Sequence, residues 1–315
     1  MRHSFIRYEF VVQLIDIPPT GIIAFMPTPS FIPERVAVAA HPMMAEAIHE
    51  ADVIANHLRG RGLAALSGTL DDDGLRKRVR NGEFDLLIAV GGDGTMLRSA
   101  HLCAPCNVPI LGINLGRLGF LIQVGREEWR DTFELLLKGE AWIENRMMLR
   151  AEHWRAEQSL GNWHALNEAL VCRGQYVRPV RLSASVDGRL LTSYVADGLI
   201  AATPTGSTAY ALAAGGPILP PELRNILLVP IAPHLSVDRG VVLSEGSSVS
   251  ITVREDGNAV LCVDGQTPIA LSDADRVDVR AGDYSAKFVR FGDPGYFYRN
   301  LTAHMNQNPT IGLPR

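Results

Sequence analysis

The sequence predicts an α/β domain built on a parallel sheet, followed by an all-β, sandwich-like domain. Short apolar runs at residues 35–39, 84–90 and 108–113 carry no helical period, and segments with helical spacing lie between them. Apolar runs of that length read as strands buried on both faces, and their alternation with helices is the grammar of a parallel sheet. Beyond residue 146 that grammar changes to short alternating runs separated by turn residues, which reads as hairpins.

Taken in order, residues 1–33 form an N-terminal extension. Phe10 to Phe25 is fairly apolar, but Asp16 and Pro18-Pro19 interrupt it and no small-residue cleavage site follows. No secretory signal is read there, and Met26 stands as an alternative start. Residues 34–145 make the α/β domain. Arg35–Ala39 is its first strand, and a helix follows with Met44, Ala47, Ile48, Ala51, Ala55 and Leu58 at helical spacing. A weak strand at Leu63–Leu66 and a short charged helix at Leu75–Val79 lead to the strand Phe84–Val90. A helix is expected from Met96 to about Leu102, a strand at Val108–Ile113 and a helix from about Glu127 to Leu137. Residues 146–292 make the β-rich domain, with strands at Arg150–Arg155, Ala165–Val171, Arg181–Val186, Leu199–Thr203, Val249–Val253, Leu261–Val263 and Val277–Val279. Asp187-Gly188 and Asp256-Gly257-Asn258 are its hairpin turns. The tail 293–315, aromatic at Tyr296, Phe297 and Tyr298, is expected to pack back on the first domain.

Two stretches carry chemistry. In the first, a buried strand runs into Gly91-Gly92-Asp93-Gly94-Thr95 and then a helix. Glycines leave backbone amides bare, and a helix start favours negative charge, so the loop suits a phosphate held by Gly91, Gly92 and Thr95. Asp93 is the one side chain there able to take a proton, a combination that suits phosphoryl transfer to a hydroxyl. The same string is also an ordinary tight turn. What favours a ligand is its place at the carboxyl end of a strand. Arg98, in the following helix, can meet phosphate or serve as a solvated helix charge. In the second stretch, Pro204-Thr205-Gly206-Ser207-Thr208 is a turn dense in hydroxyls ahead of a helix at Ala209–Ala214. Ser207 or Thr208 caps that helix, or the loop holds a nucleotide, with Tyr210 adding an aromatic face.

Composition narrows the classes. The 315 residues are 47% apolar and 20% charged, with a net charge of −4. That balance suits a soluble two-domain protein and argues against a nucleic-acid partner. No apolar run reaches the roughly 18 residues of a membrane span. The chain is placed in the cytoplasm. Four cysteines are too few and scattered for a disulfide framework, and Cys103-Ala-Pro-Cys106 lacks the other ligands of a zinc site. No metal ligands are assigned.

GGDGT at 91–95 resembles the signature shared by NAD kinases, diacylglycerol kinases and 6-phosphofructokinases. Asp197-Gly198 followed by TPTGSTAYALAAGGP at 203–217 resembles the second signature of the NAD kinase family. Leu166-Asn167-Glu168-Ala169 is similar to that family's Asn-Glu motif, the segment from Gly112 to Leu121 to its loop after GGDGT, and Pro230–Gly240 to its Pro-rich stretch. The resemblance implies phosphorylation of the 2′-hydroxyl of the adenosine ribose of NAD to give NADP, with the substrate between an α/β domain and a β-sandwich. It implies Mg²⁺ with a donor that is ATP or polyphosphate, and a homodimer or homotetramer. Residue by residue it implies Asp93 as general base, with Gly94 beside it at the ligand, and Asn167 and Glu168 at the ribose and base. Asp197, Thr208, Ala209, Tyr210, Ala211, Leu212 and Ala213 would contact NAD, with Arg178, Ala232 and Gln266 carried over on less distinctive surroundings. Val195 stands where many members carry a basic residue, which removes a charge contact bearing on NAD against NADH. Two rivals remain: a non-catalytic NAD-sensing protein, and a lipid kinase, against which stand TGSTAY and the lack of a basic amphipathic anchor.

Overall fold

The computed structural model describes residues 31–116, 119–175, 178–234, 237–254, 259–299 and 301. Most of the N-terminal extension, Met26, Leu118, Leu235, Ser236, the turn at 256–258 and the tail beyond 301 therefore lie outside the described residues.

The first half alternates as its apolar pattern requires: β1 (Arg35–Ala40), α1 (Ala45–Gly60), β2 (Ala64–Thr69), α2 (Asp73–Arg80), β3 (Leu86–Gly91), α3 (Asp93–Cys103), β4 (Ile110–Asn114), β5 (Val124–Gly125) and α4 (Trp129–Leu137). β2-β1-β3-β4 lie side by side and parallel. α1 buries Ala47, Ala51, Ile54, Ala55 and Leu58, residues three or four apart that form one face. α2 starts where Asp72 accepts the Leu75 N–H at 3.0 Å, a side-chain cap. Cores on the two faces of the parallel strands hold Leu87, Ala89 and Met96 on one side and Leu86, Ile88 and Val90 on the other.

The second half comprises β6 (Ala141–Arg155), β7 (Gln158–Ala165), β8 (Glu168–Arg173), β9 (Val180–Val186), β10 (Arg189–Ala196), β11 (Gly198–Ala202), α5 (Tyr210–Ala213), β12 (Asn225–Ile231), β13 (Val241–Ser244), β14 (Val249–Val253), β15 (Ala259–Val263), β16 (Ile269–Leu271) and β17 (Arg276–Phe291). β9 and β10 form the hairpin expected at Asp187-Gly188, where both φ angles are positive (50° and 74°). One sheet runs β13-β12-β11-β8-β15-β16. The other runs β10-β9-β14-β17-β4-β3-β1-β2, so it passes through both domains. A core with Leu149, Val171, Leu182, Leu199, Ile251, Leu261 and Val277 fills the space between the sheets, making the sandwich.

Several elements differ from the sequence reading. The strand expected at Val277–Val279 continues to Phe291, pairing antiparallel with β6 along its length and parallel with β4 at Phe288. A register shift between Ala281 and Ser285 lets it turn from one domain into the other. The run Ala165–Val171 is cut into β7 and β8 by a turn at Leu166-Asn167. α3 begins at Asp93 instead of Met96. Ser207 and Thr208 do not cap α5, whose N-cap is Ala209 with no side-chain cap; they sit in a preceding 3-10 turn, Gly206–Thr208. The Ser207 hydroxyl, fully buried, donates to the Pro204 carbonyl and accepts from the Leu219 N–H, so it ties two loops together. Among the described residues no helix is long and apolar enough to cross a membrane.

Candidate active site

Asp93 is the first residue of α3 and Gly92 its N-cap. Its carboxylate accepts the Phe120 N–H at 2.8 Å and the Leu121 N–H at 3.2 Å, so the loop after β4 folds onto it. A Cβ at Gly119 would lie 2.1 Å from an Asp93 oxygen, so this approach requires glycine at 119. A Cβ at Gly91 would lie 2.2 Å from the Thr95 hydroxyl oxygen, so β3 enters the helix only over a bare backbone. Thr95, read from the sequence as a phosphate-binding residue, is buried beneath that turn.

Facing Asp93 is the turn between β7 and β8. Asp264, at the end of β15, organises it: one carboxylate oxygen accepts the N–H groups of Asn167 and Glu168 at 2.9 Å, the other the Leu166 N–H at 2.6 Å. His101 of α3 reaches the same carboxylate with Nε2 at 2.8 Å. A Cβ at Gly206 would lie 2.1 Å from the Asn167 carbonyl oxygen, so the hydroxyl-rich turn packs directly on this one. Between these pieces is a cavity of about 210 Å³ lined by Asp93, Gly94, Asn167, Thr205, Thr208 and Ala209, with Leu97, Phe120 and Leu121.

Behind the cavity lies a buried charge network. Glu144 pairs with Arg290 at 2.7 Å and with Arg146 at 2.9 Å. Arg146 also donates to the Thr205 hydroxyl at 3.1 Å and the Tyr296 hydroxyl at 2.8 Å, and Arg290 donates to the Leu121 carbonyl at 2.9 Å. Burial raises the Glu144 carboxyl, but the two guanidiniums outweigh it and hold the group below its ordinary value. Thr205 and Leu121, one on each side of the cavity, are thus braced by β6, β17 and Tyr296.

The sequence-predicted residues fall in several places. Asp93, Gly94, Asn167, Thr208 and Ala209 meet at the cavity. Arg98 and Gln266 line a neighbouring, larger pocket. Asp197 lies elsewhere, paired with Arg173 at 3.0 Å, close to Val195, whose carbonyl accepts the His234 N–H, and to Ala232, which follows β12 with φ 44°. Ala211 is fully buried with Ile200, Ala202 and Leu219. Tyr210, Leu212 and Ala213 flank it on α5, and Tyr210 is exposed. Arg178 is exposed beyond β8, outside the cavity. The residues the sequence reading missed are Asp264, His101, Glu144, Arg146, Arg290 and the cavity-lining Leu97; Thr205 it had placed in the hydroxyl-rich loop without singling it out. Only Asp264-Gly265, a turn pair with positive φ at both residues, left a local trace.

Glu168 is mostly buried beside the cavity, and one carboxylate oxygen has no partner among the described residues. Burial, with a smaller contribution from the Asp264 charge, pushes its carboxyl up to about 8. Such a group keeps its proton in the fold while the unfolded chain releases it, so unfolding releases a proton between the two pKa values. Stability contributed by this group is therefore greatest below pH 4.5 and is lost as pH rises to about 8. The Tm difference between the parent and Glu168→Gln should shrink or reverse across that window as the parent weakens. A difference independent of pH would show that Glu168 is ionised in the fold.

Comparison with known proteins gives concordant matches. The family described as ATP-NAD kinase N-terminal domain matches residues 45–141, and that described as ATP-NAD kinase C-terminal domain matches residues 166–291. An NAD kinase of Chloroflexus aggregans is 40% identical over 275 residues, 87% of this chain and 99% of that protein. One of Heliobacterium modesticaldum is 41% identical over 234 residues, 74% of this chain and 82% of that protein. Among solved structures, an NAD kinase from Archaeoglobus fulgidus in complex with ATP superposes with a TM-score of 0.69 at 26% identity, covering 87% of this chain and 99% of that one. Yeast NADH kinase complexed with NADH gives a TM-score of 0.76 at 24% identity with 90% of each chain covered, a likeness of fold.

Proposed function

The chain belongs to the NAD kinase family, and on that premise we propose that Asp93 is its general base and the cavity beside it the seat of the reacting ribose. The reaction moves the terminal phosphoryl group of the donor to the 2′-hydroxyl of the adenosine ribose of NAD. The hydroxyl oxygen bonds to phosphorus, the bond to the donor's bridging oxygen breaks, and the hydroxyl proton passes to Asp93. One observation carries this reading: a carboxylate fixed by two backbone N–H groups opens the helix that faces Asn167, Thr205 and Thr208 across a small cavity.

The transition state of phosphoryl transfer is loose, so positioning and charge stabilisation do most of the work. The start of α3 places the positive end of a helix at the reacting group. Glu144, Arg146 and Arg290, buried just behind Thr205 and Leu121, sum to a single positive charge near the same point. ATP is the donor that the family supplies, and inorganic polyphosphate is a second. Among the described residues no group of three or more His, Cys, Asp or Glu side chains converges. Mg²⁺ is placed with the donor as part of the substrate, held by phosphates and water.

A homodimer or homotetramer acting in the cytoplasm completes the reading. Supporting self-association is a broad groove of about 970 Å³ on the second sheet, lined by the half-buried Leu170, Cys172, Val260 and Cys262 and by the exposed Ala270. The direct test is NADP formation by the purified chain with NAD, ATP and Mg²⁺, followed by polyphosphate in place of ATP. NAD binding without NADP from either donor would replace the kinase with a sensor.

A further inference from the structure

The larger pocket beside the cavity has about twice its volume, about 420 Å³ against 210 Å³. The two meet at Leu97, which lines both. Three arginines line it: Arg76 and Arg80 from α2 and Arg98 from α3. Arg76 and Arg80 are four residues apart, so their like charges share one helix face, an arrangement that repels in the absence of an anion. Neighbouring Arg78 and Glu83 pair at 2.7 Å, but Arg80 forms no ion pair among the described residues. Among the described residues Arg76 makes only a long contact of 3.4 Å with the Leu70 carbonyl, and Arg98 a loose one of 3.7 Å with the exposed Asp71. The other acid in the wall, Asp264, is occupied by three N–H groups and His101. The pocket thus presents three cations with little internal compensation.

Position gives this charge a use. A donor whose terminal phosphoryl group lies at Asp93 must lead its other phosphates away from that point. Arg98 stands five residues further along α3, about 7–8 Å of helical rise, and Arg76 and Arg80 line the same pocket as Arg98. We propose that Arg76, Arg80 and Arg98 form the site for the non-transferred phosphates of the donor, a chain of linked phosphates belonging to a nucleoside triphosphate or to inorganic polyphosphate. This inference rests on the NAD kinase reading.

The test is the double variant Arg76→Gln/Arg80→Gln, with Arg78→Gln as a control that removes one charge from the same helix on another face. Glutamine is a good helix former, and unchanged Tm verifies the fold. KM for MgATP should rise about tenfold or more, as expected for losing a charge-assisted contact, while KM for NAD and kcat stay near parent values. Binding of inorganic tripolyphosphate, measured by calorimetry without NAD, should weaken by a similar factor. Arg78→Gln should alter neither. A shift seen with polyphosphate but not ATP, or the reverse, assigns the pocket to that donor. Unchanged donor KM and tripolyphosphate affinity in the double variant overturns the proposal, as does an equal effect of Arg78→Gln, which would mark a diffuse field. A parent that forms no NADP defeats the kinase reading separately, since the calorimetric readout does not depend on turnover.

Discussion

Replacing Asp93 with asparagine is expected to lower kcat for NADP formation by about 10²–10⁴-fold, the usual worth of a positioned general base. The substitution keeps the shape of the side chain and removes its ability to take a proton. It also changes the hydrogen bonding: the carboxylate accepts from Phe120 and Leu121, and an amide can accept from one while its NH₂ faces the other. A stability loss on the order of 1 kcal/mol is expected from that mismatch, too small to unfold a domain of this size. KM for NAD should change little, because Asn167, Thr205 and Thr208 remain in place. Steady-state NADP formation together with a thermal melt separates the two effects. A folded Asp93→Asn protein with parental kcat would remove Asp93 from its role and leave positioning as the whole of catalysis.

How far the site was legible in the sequence depends on the distance over which each contact acts. β1 and β3 were readable because burial on both faces leaves an unbroken apolar run, and α1 because burial of one helical face leaves a period. GGDGT was readable as a ligand loop because glycines, an acid and a strand-to-helix transition are consecutive. Its helix boundary was not, since Gly92 and Gly94 mask a helix start that begins at Asp93. Asp264 escaped because its partners are 96–98 residues away on the turn and 163 away at His101. Arg146 and Arg290 escaped for a related reason. They sit in strands where alternation leads one to expect apolar side chains, and Glu144, Tyr296, Thr205 and the Leu121 carbonyl make their burial tolerable. The continuation of β17 into the first domain is likewise a matter of pairing with β4 and β6.

That reasoning gives Asp264 a role to test. In Asp264→Asn, an amide oxygen directed at Asn167 and Glu168 keeps two N–H bonds, but the NH₂ then faces the buried Leu166 N–H. Leaving that donor unsatisfied should cost about 1–3 kcal/mol, seen as a lower Tm. Asparagine tolerates the positive φ of 48° at this position, so the backbone adds little to the loss. Asn167 lines the cavity and hangs from this carboxylate, so KM for NAD should rise about tenfold, equivalent to ~1.4 kcal/mol of misplacement. The same substitution removes a negative charge that raises the Glu168 carboxyl, so the pH at which Glu168 ionises should fall below its value of about 8. A purely architectural aspartate would lower Tm alone. Concerted movement of Tm, KM for NAD and the Glu168 ionisation would establish Asp264 as the positioning residue for the Asn167-Glu168 turn. A parental KM and an unmoved ionisation would confine it to folding.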